Sequence, residues 1–324
     1  MQDTSTETNV LDFEPTRQDF LADVVAGISQ RPRKLPCKYF YDKRGSQLFD
    51  KICELDEYYL TRVELSIMRR FAPEMAEQIG PRVMLVEYGS GSSVKTRALL
   101  DQLLDPVAYV PVDISREHLQ RTADQLNMAY PHVEVLPVCA DFTDAFDLPV
   151  SCGTPTHSAV YFPGSTIGNF PPDDAEELLA RIAPLCGTGG GLLIGIDLKK
   201  DVSILEAAYN DRQGVTADFN LNLLRRINRE LGANFDLEQF DHSACFNEQF
   251  GRVEIYLISQ RDQAVIVCDE EFNFAKGEAI CTEYSHKYTV DEFAATAAEV
   301  GLTLRRCWTD EERAFAVLHF AVAD

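Results

Sequence analysis

The chain has 324 residues, which sets a prior of about two domains, and its 30 Lys and Arg against 52 Asp and Glu leave a formal charge of −22. A surface this acidic argues against a nucleic-acid partner, and 45% hydrophobic residues exclude a largely disordered chain. MQDTSTETNV lacks the pattern of a secretory signal, and no apolar run reaches the roughly 18 residues of a membrane span. Nine scattered cysteines without a CxxC pair read as reduced thiols of a cytoplasmic protein.

In chain order, residues 1 to about 16 are polar and expected to fray, and Arg17 to Gln30 carries the first helical pattern. The extended basic link RPRKLPCK follows, and then an aromatic-rich stretch with a short helix over Gln47 to Cys53. Thr61 and Glu64 have the spacing of a capping box, and Val63, Ile67, Phe71 and Met75 predict a long helix behind it. The first ~80 residues thus read as a helical cap.

From VMLVEYGSG the period changes. That strand, AYVPVDIS, VEVLPVCADF, SAVYFPGSTIGNF and GGGLLIGIDL alternate with the helices TRALLDQLL, REHLQRTADQLNMAY and PPDDAEELLARIAPL, an α/β pattern of a doubly wound, mostly parallel sheet. Helices over Val202 to Tyr209 and Ala217 to Leu231 come next. Strands around RVEIYLISQ, AVIVCD, AICTEYSHKYT and LTLRRCW, a helix from Val290 to Val300 and the closing strand AFAVLHFAVA complete the chain.

Glu87-Tyr88-Gly89-Ser90-Gly91 joins the first sheet strand to a helix, where glycines let a ligand approach the backbone. A dinucleotide fingerprint needs a third glycine at Val94, so NAD and FAD are disfavoured. An acid followed by GxG instead resembles the first motif of class I S-adenosylmethionine-dependent methyltransferases, although a plain tight turn has the same signature. Asp113 ends the second strand 24 residues after Gly89, near the spacing of a ribose-binding acid. Asp141 and Phe142 end the third, offering a carboxylate to an adenine amine and a ring face to the base. Either aspartate alone also suits a helix cap. Lys95, in the first turn of the next helix, opposes the helix dipole and points either to solvent or to an acceptor such as a cofactor carboxylate. Asn169, before Phe170-Pro171-Pro172, serves equally as a turn residue.

Six segments in order, KYFYDKRGSQLFDKI, ELDEYYLTRVE, VEYGSGSSVKT, FPGSTIGNF, AAYNDRQGVTADFNLNLL and TEYSHKY, resemble the histidine-specific Nα-methyltransferases of ergothioneine biosynthesis, from about Tyr39 to Phe320. The resemblance implies a Rossmann-like methyltransferase domain (61–200 plus 289–324) and a smaller α+β substrate-binding domain (17–60 plus 201–288). It implies S-adenosylmethionine held by Glu87, Gly89, Gly91, Lys95, Asp113, Asp141 and Phe142, with S-adenosylhomocysteine as product and no metal. The amino acid is expected against Tyr58 or Tyr59, Asn169, Tyr209, Glu283 and Ser285, with Tyr58 and Tyr41 handling the amine proton. Glu283 and Ser285, two apart on a strand, share a face and suit the two imidazole nitrogens. Ile255 stands where histidine-selective members are expected to carry methionine, which leaves tryptophan or another amino acid as an alternative acceptor, and a non-catalytic S-adenosylmethionine sensor as another reading. The implied partner is L-histidine, bound by a monomer.

Overall fold

The computed structural model describes residues 10–13, 15–91, 93–144 and 146–322, which form fifteen strands and nine α-helices. The first part contains β1 (Leu11–Phe13), α1 (Arg17–Ser29), β2 (Arg33–Lys34), α2 (Lys43–Cys53) and α3 (Tyr59–Ile79). An alternating part follows: β3 (Val83–Tyr88), α4 (Val94–Leu100), β4 (Ala108–Asp113), α5 (Arg116–Ala129), β5 (Glu134–Val135), β6 (Val138–Ala140), β7 (His157–Phe162), α6 (Pro172–Cys186) and β8 (Gly191–Asp197). Then come α7 (Val202–Tyr209), α8 (Val215–Leu231), β9 (Phe240–Asn247), β10 (Arg252–Ser259), β11 (Gln263–Val267), β12 (Glu270–Phe274), β13 (Ala279–His286), α9 (Val290–Glu299), β14 (Leu302–Thr309) and β15 (Phe315–Val322).

A nine-stranded sheet runs β1-β6-β4-β3-β7-β8-β15-β14, with β5 beside β4. It is parallel from β1 to β8, and β15 enters antiparallel between β8 and β14. Every residue of β3 is buried, because helices cover both faces, which is why VMLVEY reads as an unbroken apolar run. The chain moves from β3 outward to β4 and β6 and then returns to β7 on the other side. That reversal opens a crevice at the carboxyl ends of β3 and β7. A second sheet, β2-β13-β10-β9, and the hairpin β11-β12 stand apart from it.

Several expectations need correction. Leu11–Phe13, expected to fray, pairs in parallel with Val138–Ala140 at the sheet edge. The expected VEVLPVCADF strand is two short strands split at Pro137, which has no N–H for the ladder. Helix α3 starts at Tyr59, so Thr61 lies inside it and Glu64 is no capping residue: its fully buried carboxylate accepts hydrogen bonds from the Gly164 N–H and Lys95. Through Ile67, Met68 and Met75, α3 also shares a core with Leu85, Leu193 and Phe315 of the large sheet, so the first 80 residues are not all cap. Strands β9 and β12 are additional. All nine cysteines are free, and no helix among the described residues is long and apolar enough to cross a membrane.

Candidate active site

Gly89 and Gly91 turn the chain out of β3 with φ of 71° and 44°, the left-handed region that favours glycine. A side chain built on Gly89 would meet nothing within 4 Å, so the turn faces open space. That space is a cavity of about 530 Å³ lined by Gly89, Gly91, Asp113, Asp141, Phe142 and Asn169, and reaching Tyr41 and Glu283. The Gly91 N–H donates to one oxygen of Asp113 at 3.2 Å and the Ser115 N–H to the other at 2.9 Å. Burial raises the Asp113 pKa, and these two N–H groups oppose the shift. Asp141 accepts from the Thr143 N–H at 2.9 Å through Oδ1. Its buried Oδ2 has the Lys38 ammonium beside it at 3.2 Å. The Phe142 ring lies parallel to Tyr88, centroids 5.2 Å apart, and edge-on to Phe162 and Phe170.

The other end of the cavity is built on β13. Across the ladder Val253 opposes Ser285 and Ile255 opposes Glu283, so Ser285, Glu283 and Ile255 share one face. The pairing slips after Ile255, and the Thr282 hydroxyl in this irregular stretch donates to Asn220 Oδ1 at 2.8 Å. Burial pushes the Glu283 carboxyl up to about 7, while the Lys287 ammonium pulls it the other way. Tyr284, next along, carries Arg252 over its ring at 3.6 Å and Lys34 at 4.4 Å. The turn bearing Asn169 is fastened to β13 by His286, whose Nδ1–H donates to the Gly168 carbonyl at 2.9 Å.

Behind Glu283 lies a buried polar network. The Lys287 ammonium is within 2.7 Å of Asp197 Oδ2, 2.9 Å of the Tyr209 hydroxyl and 2.8 Å of the Ser285 hydroxyl. The two hydroxyls are themselves 2.8 Å apart. Tyr59 donates to Asp197 at 2.8 Å and accepts from Lys200 at 2.7 Å. Tyr59 is therefore committed to Asp197, whereas the Tyr58 ring stands edge-on to Tyr209 with centroids 6.0 Å apart.

The expected site residues thus divide into three groups. Gly89, Gly91, Asp113, Asp141, Phe142, Asn169, Tyr41 and Glu283 share the cavity wall. Tyr58, Tyr209, Ser285 and Ile255 are buried and do not line it: Ser285 and Ile255 share the Glu283 face, Tyr209 meets Ser285, and Tyr58 packs on Tyr209. Glu87 and Lys95 do not line the cavity. Glu87 is buried beneath the turn, its carboxylate accepting from Thr96 and Tyr109, and burial raises its pKa to about 8. Of the two directions expected for it, Lys95 takes an acceptor, the Glu64 carboxylate at 2.6 Å. Lys38, Tyr284, Asp197 and Lys287 escape the sequence reading. Lys287 had a signal, since it continues the alternation of Glu283 and Ser285 along one strand face.

The donor set fits S-adenosylmethionine. Gly89 leaves the backbone open to an aminoacyl chain, Asp113 provides an acceptor for ribose hydroxyls, the buried Asp141 Oδ2 can take an adenine amine, and Phe142 offers a ring.

Comparison with known proteins agrees with this geometry. Residues 20–322 match the family described as histidine-specific methyltransferase, SAM-dependent. The chain is 40% identical to a histidine N-alpha-methyltransferase of Mycolicibacterium smegmatis, over 93% of this chain and 94% of that one. It is 33% identical to ergothioneine biosynthesis protein 1 of Neurospora crassa, over 86% of this chain and 32% of that longer protein. A crystal structure of an S-adenosylmethionine-dependent methyltransferase from Clostridium acetobutylicum has the same fold, with a TM-score of 0.50 at 12% identity, covering 85% of this chain and 99% of that one.

Proposed function

The chain belongs to the histidine-specific, S-adenosylmethionine-dependent methyltransferases, and on that premise we propose that its cavity methylates the α-amine of L-histidine three times to give hercynine, the first step of ergothioneine biosynthesis. The observation that carries this reading is one cavity with the glycine turn at one end and Glu283 at the other, Ser285 following on the same strand face. Glu283 accepts an imidazole N–H and Ser285 donates to the second ring nitrogen, with Tyr209 donating to Ser285 from behind, while Asn169 holds the substrate carboxylate. An indole offers no second ring nitrogen to Ser285, which favours histidine over tryptophan even with Ile255 in the pocket.

S-adenosylmethionine supplies an electrophilic methyl group on its sulfonium. Gly89, Gly91, Asp113, Asp141 and Phe142 hold its two ends, and the protein's main task is to align the amine with that methyl group. Burial raises the Tyr58 and Tyr41 pKa values well above the usual phenol value, so both act as neutral hydroxyls. They can accept a hydrogen bond from the amine and relay its proton to water, but they do not store it. Their ring faces accommodate the growing positive charge as N–H groups are lost. A product trimethylammonium has no hydrogen bond left to give, and an aromatic wall does not ask for one.

In this reading residues 61–200 with 289–324 bind the cofactor, residues 17–60 with 201–288 bind the amino acid, and a cytoplasmic monomer releases S-adenosylhomocysteine after each transfer without a metal. The test is incubation of the pure protein with S-adenosylmethionine and single amino acids, followed by mass spectrometry. Gains of one, two and three methyl groups on L-histidine are expected. Gains confined to tryptophan would overturn the acceptor, and tight cofactor binding with no gain on any amino acid would identify a sensor.

A further inference from the structure

Lysine is an obligate donor with three N–H groups, and Lys287 has a partner for each: Asp197, Tyr209 and Ser285. Its side chain is wholly buried, as is that of Asp197. Both hydroxyls are thereby compelled to accept. They also share the 2.8 Å bond between them, which consumes one of their two protons. One hydroxyl proton remains, and it points away from the pair: from Ser285 if Tyr209 donates inward, from Tyr209 if Ser285 does.

We infer that Lys287 is a positioning residue that polarises the Tyr209–Ser285 pair into a hydrogen-bond donor toward the amino acid, and that it thereby sets the preference for a ring carrying both an N–H and a bare nitrogen. The inference rests on the reading of the cavity as an L-histidine site. Glu283, on the same strand face, is a pure acceptor when ionised, so the two halves of the face make opposite demands. A neutral imidazole meets both. Indole, with a single N–H, satisfies Glu283 and leaves Ser285 without an acceptor, and a site built to donate rejects a ligand that cannot accept. Lys287 touches neither ring in this arrangement and acts through the two hydroxyls. Asp197 is its anchor, and Lys200, 2.5 Å from Asp197, remains to neutralise that carboxylate if Lys287 is lost.

The test is Lys287→Met, with Lys287→Gln, which loses the charge and cannot serve all three acceptors, as a second variant expected to shift the histidine KM in the same direction should the first fail to fold. Steady-state kinetics on L-histidine and L-tryptophan are combined with calorimetric titration of S-adenosylhomocysteine. The expected result is a rise of about tenfold or more in the histidine KM, with kcat changed less, cofactor affinity held within about twofold, and a matching fall in the histidine-to-tryptophan ratio of kcat/KM. Introduced into a Tyr209→Phe/Ser285→Ala background, Lys287→Met should then have no further effect on the histidine KM. A folded variant with the parent's KM and selectivity, or an effect that persists undiminished without the two hydroxyls, would overturn the inference. Failure of the parent protein itself to methylate histidine would instead overturn the underlying reading.

Discussion

Lys38 places its ammonium 3.2 Å from Asp141 and 3.2 Å from Asp23, bridging the end of a sheet strand to helix α1 across the mouth of the cavity. If Asp141 takes the adenine amine, Lys38 is its competitor. Ion pairs at such partly exposed sites are worth about 0–1 kcal/mol, so Lys38→Met should tighten S-adenosylhomocysteine binding by about two- to fivefold. Isothermal titration of both proteins measures it. Weaker binding by the variant would show that Lys38 supports the cofactor.

Removing the Glu283 carboxylate should separate substrate from cofactor. A hydrogen bond to a charged group contributes about 1.5–3 kcal/mol, so Glu283→Ala is expected to lower kcat/KM for histidine by roughly 10- to 100-fold. Cofactor affinity should stay within about twofold. Equal loss of both would remove Glu283 from the imidazole end.

Much of the scaffold was legible because its signals are local. VMLVEY, AYVPVD and GLLIGID are apolar runs set between helical patterns, and they form β3, β4 and β8. Strand β9, FDHSACFN, was not legible: pairing with β10 holds it, while its polar residues break the apolar alternation. At the site, residue types were readable and directions were not. Nothing local to EYGSG says that Glu87 turns under the loop to Thr96 and Tyr109, because those partners come from a neighbouring helix and strand.

Gly168 tests how the Asn169 turn is held. A side chain there would place its Cβ 2.8 Å from the His286 carbonyl oxygen, closer than real contacts allow. Gly168→Ala must therefore move the turn, at a cost of about 1–3 kcal/mol in stability. It should also raise the histidine KM at temperatures where the variant is still fully folded. An unchanged KM would detach Asn169 from substrate binding.

Glu87 makes stability depend on pH. Burial raises its pKa from 4.5 to about 8 in the folded chain. Between those values the folded state holds one more proton than the unfolded state, so stability is greatest below the lower value and is lost as the pH climbs toward the upper one. Glu87→Gln lacks this term. Urea unfolding at pH 5 and pH 8 should show the parent losing about 2–4 kcal/mol relative to the variant; parallel losses would place the raised pKa elsewhere.

Strand β15 has a consequence for how the molecule is made. It fills the slot between β8 and β14, so β8, complete at Asp197, keeps an open edge until Phe315–Val322 is available to cover it. Leu192, Ile194 and Ile196 sit on that waiting edge. Contacts between such distant stretches of sequence form slowly, and an uncovered apolar edge recruits other chains. Yield in a cell will therefore follow how fast the last strand slots in, and slower synthesis at low temperature or a chaperone that shields β8 should favour soluble protein.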